Sequence, residues 1–250
     1  MMRSESTQLV RSKETDHETS GDDAHSSFRS TRQRWGIARA LFASVMGHAE
    51  RAFGLHVYRI RARPLVEANL PPLPEGWSVR QVSWRELHAL ARDPALALKG
   101  EFLNSTAARW ATMTAVFDHE RLVSYAFAIA GSGPAGDDMW VKCSPPYRYS
   151  FKSFTRPESR GRRLSTYASL GSDRFFLRGG CTHAISYAAT YNFASIRTEA
   201  SKGNVFIGIA GYLKLGNLRV TFRSPGCRHA GFEFRYVPRR DVVPDGTWPA

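Results

Sequence analysis

The chain has 250 residues, 42% of them apolar, and carries 35 lysines and arginines against 22 acidic residues, a formal surplus of 13 positive charges. That is enough apolar material for one large domain with appendages, and it excludes a chain disordered throughout. Three cysteines, Cys143, Cys181 and Cys227, stand too far apart for a CxxC site or a disulfide framework, so reduced thiols in the cytoplasm are expected.

Residues 1–34 balance six basic against six acidic side chains and hold few large apolar ones, which reads as a disordered tail and not as a basic arm. They also lack the apolar run of a secretory signal, and no segment of the chain reaches the roughly 18 apolar residues of a membrane span. Residues 35–75 form a second region: a helix over 36–53 with Ile37, Leu41, Val45 and Met46 at helical spacing, a stop at Gly54, an alternating strand or arm ending at Pro64, and a proline-rich linker. The helix stripe suits packing against the domain, a membrane surface or a dimer contact.

The main domain is expected over 76–250. It opens with a strand at Trp77–Val82 and a helix capped by Ser83, with Glu86 three residues on. A second helix is expected near 99–110, then a hairpin whose strands flank Asp118–Arg121. The glycine-rich GSGPAGDD has no helix after it and reads as a hairpin loop. Strand material over 139–155 is broken by Pro145-Pro146; a helix over 159–178 ends before Gly179-Gly180; a strand at 181–188, a helix at 192–202 and strands near 205–214, 218–223 and 229–237 follow. Mixed strands and helices of this kind specify an α/β (α+β mixed) sheet protein and exclude a bundle.

The charge surplus is focused. Lys142, Arg148, Lys152, Arg156, Arg160, Arg162 and Arg163 lie within 22 residues, opposed there by Glu158 alone. In SFTRPESRGRRLSTYASL, residues 153–170, a strand runs into a polar turn that opens a helix. Free N–H groups at such an N-terminus, with the helix dipole and fixed arginines, suit a pyrophosphate-sized anion.

The order strand, P-x-x-R-G-x-x-L, helix, strand, N-x-x-S, helix, Gly resembles the acyl-CoA-binding half of the GNAT (N-acetyltransferase) superfamily, and more narrowly a bacterial acyltransferase subgroup. The residues that carry it are PESRGRRL at 157–164 and Asn192, Ser195 and Gly203. The resemblance implies a central, mostly antiparallel twisted sheet flanked by helices, with acetyl-CoA or another acyl-CoA as donor. It implies cofactor contacts from Phe154, Thr155, Arg160, Gly161, Arg162, Arg163, Leu164, Ser165, Asn192 and Ser195, with the strand Phe151–Thr155 bonding pantetheine and supplying the oxyanion donor. Two departures stand out. Arg163 takes the place of a usual glycine, and Thr198 and Glu199 stand where many members have a tyrosine to protonate the departing thiolate.

The expected reaction is direct attack of a small-molecule amine on the thioester in a ternary complex, since no nucleophile constellation is visible. An acyl-carrier protein could replace CoA as donor. Candidate bases are Glu101, His183 and Tyr187, and Arg109 is a candidate for a substrate carboxylate. The eight histidines show no metal-ligand spacing, so no metal is expected. Two other readings remain: a GNAT-like protein that binds CoA or a partner without catalysis, and a nucleic-acid binder using the aromatics interleaved with basic residues over 147–156.

Overall fold

The computed structural model describes residues 21–67, 70–98, 111–136 and 139–237, in two compact units that divide between Ser44 and Val45. In the first unit, residues 21–35 form helix α1 (Gly21–Trp35), within the stretch whose composition reads as disordered. Gly36, at φ +87°, separates it from the start of α2 (Ile37–Phe53), and the guanidinium groups of Arg34 and Arg39 lie 5.4 and 5.9 Å from the Trp35 ring. Cationic side chains on one aromatic ring give the junction local support that tail composition does not register.

The second unit is built on an eight-stranded sheet. Its strands are β1 (Leu55–Pro64), β2 (Trp77–Val82), β3 (Thr112–Asp118), β4 (Arg121–Ala130), β7 (Tyr147–Thr155), β8 (His183–Ala189), β9 (Val205–Leu215) and β10 (Leu218–Arg223), in the order β10-β9-β1-β8-β7-β4-β3-β2. Every pairing is antiparallel except β7 with β8. The mixed α/β class and mostly antiparallel sheet are those expected. The arm preceding Pro64 is an interior strand, paired to β8 on one side and β9 on the other.

Strands β5 (Gly133–Gly136), β6 (Met139–Lys142) and β11 (Glu233–Tyr236) make a smaller antiparallel sheet. Its Met139, Val141 and Phe234 share one core with Ile60, Tyr149, Ile185 and Tyr212 of the large sheet. The glycine-rich stretch expected as a loop is therefore partly strand. Close packing explains the glycine: a Cβ on Gly133 would stand 2.8 Å from the side chains of Ile129 and Tyr149. The same layer continues over β3 and β4, where Leu87 of α3 (Trp84–Leu90) and Leu96 cover Met113, Phe117, Tyr125 and Phe127. Ser83 caps α3 by accepting from the Glu86 N–H, while the Glu86 carboxylate turns to Arg80.

Helices cover the opposite face. The single helix expected over 159–178 is instead a turn followed by α4 (Leu164–Gly171) and α5 (Asp173–Arg178). Ser172 breaks it, donating its hydroxyl back to the Ser169 carbonyl. Asp173 then points into the interior, where Arg63 and Arg148 meet its carboxylate at 2.5 and 2.6 Å. Gly180, at φ +84°, closes α5: its N–H reaches Leu177 O while Cys181 N–H reaches Phe176 O, a Schellman arrangement. Helix α6 (Phe193–Ser201) completes this face, whereas α7 (Pro225–His229) sends Cys227 into the core shared with the small sheet. Pro225 at the first turn of α7 removes the strand expected from residue 229, leaving only β11.

Candidate functional site

The ladder between β7 and β8 is short. Tyr147–Ser150 pairs with His183–Ser186 and then β8 leaves, while β7 continues beside β4 to Thr155. A wedge opens between two parallel strands, and β7 bulges there: Phe151 faces Phe127, Ser153 faces Ala126, and the intervening Lys152 has φ +29°. A bulge bends a strand and re-aims its groups, and it recurs beside functional sites.

Past the wedge the chain enters the polar turn. Arg156 anchors its base from inside: its N–H donates to Val123 O at 2.9 Å, its Nε to Leu122 O at 2.6 Å, and its guanidinium pairs with Asp93. One turn of 3-10 helix, Pro157–Ser159, leads to Gly161 at φ +85° and Arg163 at φ +58° before α4 begins at Leu164. Buried Leu164 and Ala168 lock α4 onto Val116 and Val123. The amides of Thr166 and Tyr167 both turn back to Arg163 O, whereas those of residues 161–165 donate to no backbone carbonyl among the described residues. Five consecutive amides at the N-terminus of an eight-residue helix are thus left for a partner outside the backbone, the kind of cradle that suits an anion.

Arg160, Gly161, Arg162 and Arg163 are exposed around this cradle. The Arg160 Nε lies 3.4 Å from Thr155 O, and the Arg162 guanidinium is 5.9 Å from the Trp77 ring. Glu158, the single acid of the cluster, is paired at 2.6 Å with Arg121. The seven-residue basic run is thereby divided. Arg148 and Arg156 are buried in ion pairs, Lys142 is exposed but sits in the second sheet, Lys152 is half-buried at the bulge, and the three turn arginines are exposed together at the head of α4. The aromatic–basic alternation over 147–156 does not form one stacking surface either, because Arg148, Tyr149 and Arg156 are buried and Phe154 stacks on Tyr125 at 5.5 Å.

The other expected contacts are placed as follows. The Thr155 hydroxyl is 2.8 Å from that of Ser124, so this pair ties β7 to β4. Ser165 lies in the first turn of α4. Asn192 caps α6, its Oδ1 accepting from the Ser195 N–H at 3.1 Å. Tyr187 is the first β8 residue beyond the ladder, and its hydroxyl donates to Ala135 O at 2.7 Å. His183 opens β8 at the closed end, opposite Tyr147 and Pro64, with Nδ1 2.8 Å from the Thr182 hydroxyl. Glu101 and Arg109, with the helix expected near 99–110, lie outside the described residues.

Two charged clusters on the helix-covered side of the wedge are not apparent from motif spacing. Asp173 takes Arg63 and Arg148, and Arg148 also donates to the Ser150 hydroxyl at 2.5 Å, at the last rung of the β7–β8 ladder. Across that rung, Ser186 donates to Glu199 Oε2 at 2.7 Å, and Glu199 receives Lys202 at 2.7 Å and Asn204 at 2.9 Å. Burial pushes the Glu199 carboxyl upward, but Lys202, Ser186 and Arg148 outweigh it and hold the group below the usual carboxylate range. The arginines at every second position of β1 give a partial sequence signal for the first cluster; the second depends on α6 folding back over β8.

No family model matches the chain, and no curated protein matches it. Solved structures do resemble it. A GCN5-related N-acetyltransferase from Sphaerobacter thermophilus is 12% identical over 72% of this chain and 56% of its own, with a TM-score of 0.43. Another, from Kribbella flavida, is 16% identical over 62% of this chain and 54% of its own, with a TM-score of 0.39. A tandem GNAT protein from the clavulanic acid biosynthesis pathway is 17% identical over 82% of this chain and 71% of its own, at 0.42. These structural neighbours are GNAT-family proteins. The chain spans little more than half the length of the two GCN5-related ones.

Among the described residues no helix is long and apolar enough to cross a membrane, and no three His, Cys, Asp or Glu side chains converge as metal ligands.

Proposed function

We propose that the chain is an acyl-CoA-dependent N-acyltransferase. One juxtaposition carries this reading: a wedge between parallel β7 and β8 that leads into a cradle of unengaged amides ringed by Arg160, Arg162 and Arg163. A long thiol ester with a pyrophosphate at its far end matches both parts, the pyrophosphate on the amides of 161–165 and the extended arm along the edge of β7. The cradle fits the pyrophosphate because its amides are not consumed by the turn and its fixed charge is positive.

The bound thioester supplies an electrophilic carbonyl, and attack by an amine gives an amide and a free thiol. The residues contribute placement above all, holding the donor so that attack is effectively unimolecular. Two polar groups beside the wedge already have partners. The Tyr187 hydroxyl is already given to Ala135 O, and Glu199 is held as an anion by Lys202, Ser186 and Asn204. The amine gives up its proton as the amide forms and the departing thiolate takes one up, beside a basic surface that favours the anion.

Thermal unfolding with CoA, acetyl-CoA and longer acyl-CoAs tests the reading, since a ligand of the native state raises Tm. The Arg160→Ala/Arg162→Ala variant is expected to keep the wild-type Tm without ligand and to lose the CoA-induced rise. An equal rise in both proteins would show that the phosphate site is elsewhere. Thiol release with a panel of amines then separates a transferase from a protein that only binds CoA.

A further inference from the structure

The large sheet is covered unevenly. On the face where α4, α5 and α6 pack over β4, β7 and β8, the outer strands β9 and β10 carry Phe206, Ile209, Leu215, Leu218, Val220 and Phe222, all between 39% and 58% exposed. Strand register makes them one surface: Leu218 lies opposite Leu215, Val220 opposite Leu213, and Phe222 opposite Gly211, over which its ring extends. Leu55 and Val57 of β1 pair with Leu213 and Gly211 and continue the row inward, half-buried. The charges of these outer strands point to the opposite face, Lys214 over Tyr212, Arg219 over Tyr236, and Arg223 to Glu233. At the inner border Arg59 lies 4.8 Å from the Phe206 ring and Arg61 donates to Asn204 O.

We propose that this face is the contact between two copies of the chain, packed sheet on sheet about a two-fold axis. Its chemistry selects the occupant: no charge projects onto this face from β9 or β10, and the bordering Arg59 and Arg61 are engaged by Phe206 and Asn204 O, so an acidic protein, a nucleic acid or a lipid headgroup is poorly matched, whereas an identical apolar face is complementary to it. Its size agrees. Six side chains losing about half of some 150–200 Å² each remove roughly 500 Å² per protomer. With the flanking Leu55, Val57 and Leu213, the two-sided total comes to roughly 1,000–1,200 Å², the lower bound of a specific interface. Each copy carries a surplus of 13 charges, so added salt screens their repulsion and tightens the dimer.

Sedimentation equilibrium at micromolar concentration tests the proposal. Wild-type protein is expected at twice the chain mass, more completely as salt is raised, and Leu218→Lys/Val220→Lys at one chain mass with an unchanged far-ultraviolet CD spectrum and Tm. Leu215→Lys alone serves the same purpose if the double variant does not fold. Wild-type protein that stays monomeric, or folded sheet-face variants that stay dimeric, would overturn the proposal. So would a dimer abolished by Leu41→Lys in α2 but not by the sheet variants, which would place the contact on the helix.

Discussion

At the scale of single residues, Arg163 combines two demands in one position. Its φ of +58° is the left-handed conformation that glycine adopts freely and that costs other L-residues about 1–2 kcal/mol. The fold holds it there because Leu164, the next residue, is buried against the sheet and fixes where α4 starts. Replacing Arg163 with Gly is expected to relieve that strain, partly offset by glycine's larger unfolded-state entropy, for a net gain of up to about 1 kcal/mol in urea unfolding. If the arginine also grips phosphate, the same variant binds CoA more weakly, so stability and affinity move in opposite directions.

Glu199 gives a pH prediction. The unfolded carboxyl takes up its proton near pH 4.5, whereas the native one, stabilised by Lys202, Ser186 and Arg148, resists protonation to lower pH. Below about pH 4.5 the unfolded chain therefore binds more protons, and the stability owed to Glu199 is full above that pH and lost as pH falls through the native value. Denaturant midpoints measured from neutral pH down through pH 4 should decline less steeply for Glu199→Gln than for wild type. A residual slope is expected from Glu86 and Asp93, which arginine partners also hold low.

Among elements, the wedge depends on what fastens its closed end. Asp173 of α5 joins Arg63 of β1 and Arg148 of β7, and none of the three side chains is appreciably exposed. Asp173→Asn leaves two buried guanidinium groups without the carboxylate that pairs with both, and a loss of about 3–5 kcal/mol in chemical denaturation is expected. Replacing all three by apolar residues of similar volume should cost far less, because no charge is then stranded. The motif reading located the turn and the helix behind it, but it could not find this fastening. Arg148 and Arg156 read as part of the focused basic cluster because a linear charge count carries no burial; Asp173 and Asp93 supply their partners from 25 and 63 residues away. The break at Ser172 was hidden for the same reason, since an interior ion pair, and not helix propensity, turns Asp173 inward.

For the whole molecule, the decisive strand is β1. It arrives before the proline-rich linker yet fills the middle of the large sheet, bonded to β8 and β9. A chain beginning at residue 66 loses ladders on both sides and opens the core around Ile60. Far-ultraviolet CD of that truncation is expected to lack the cooperative unfolding of the full chain.

The sequence by itself determined what is local: the Ser83 cap, the hairpin around Asp118–Arg121, the glycine stop at Gly180, and the arginine-rich turn at the head of α4. These follow from backbone conformation and short-range hydrogen bonding, which a few adjacent residues specify. Only the tertiary structure decided which charges remain accessible, where β7 and β8 part, and which apolar face of β9 and β10 lies open. Burial, register and ion pairing join residues dozens of positions apart, and no local pattern contains the free energy that brings them together.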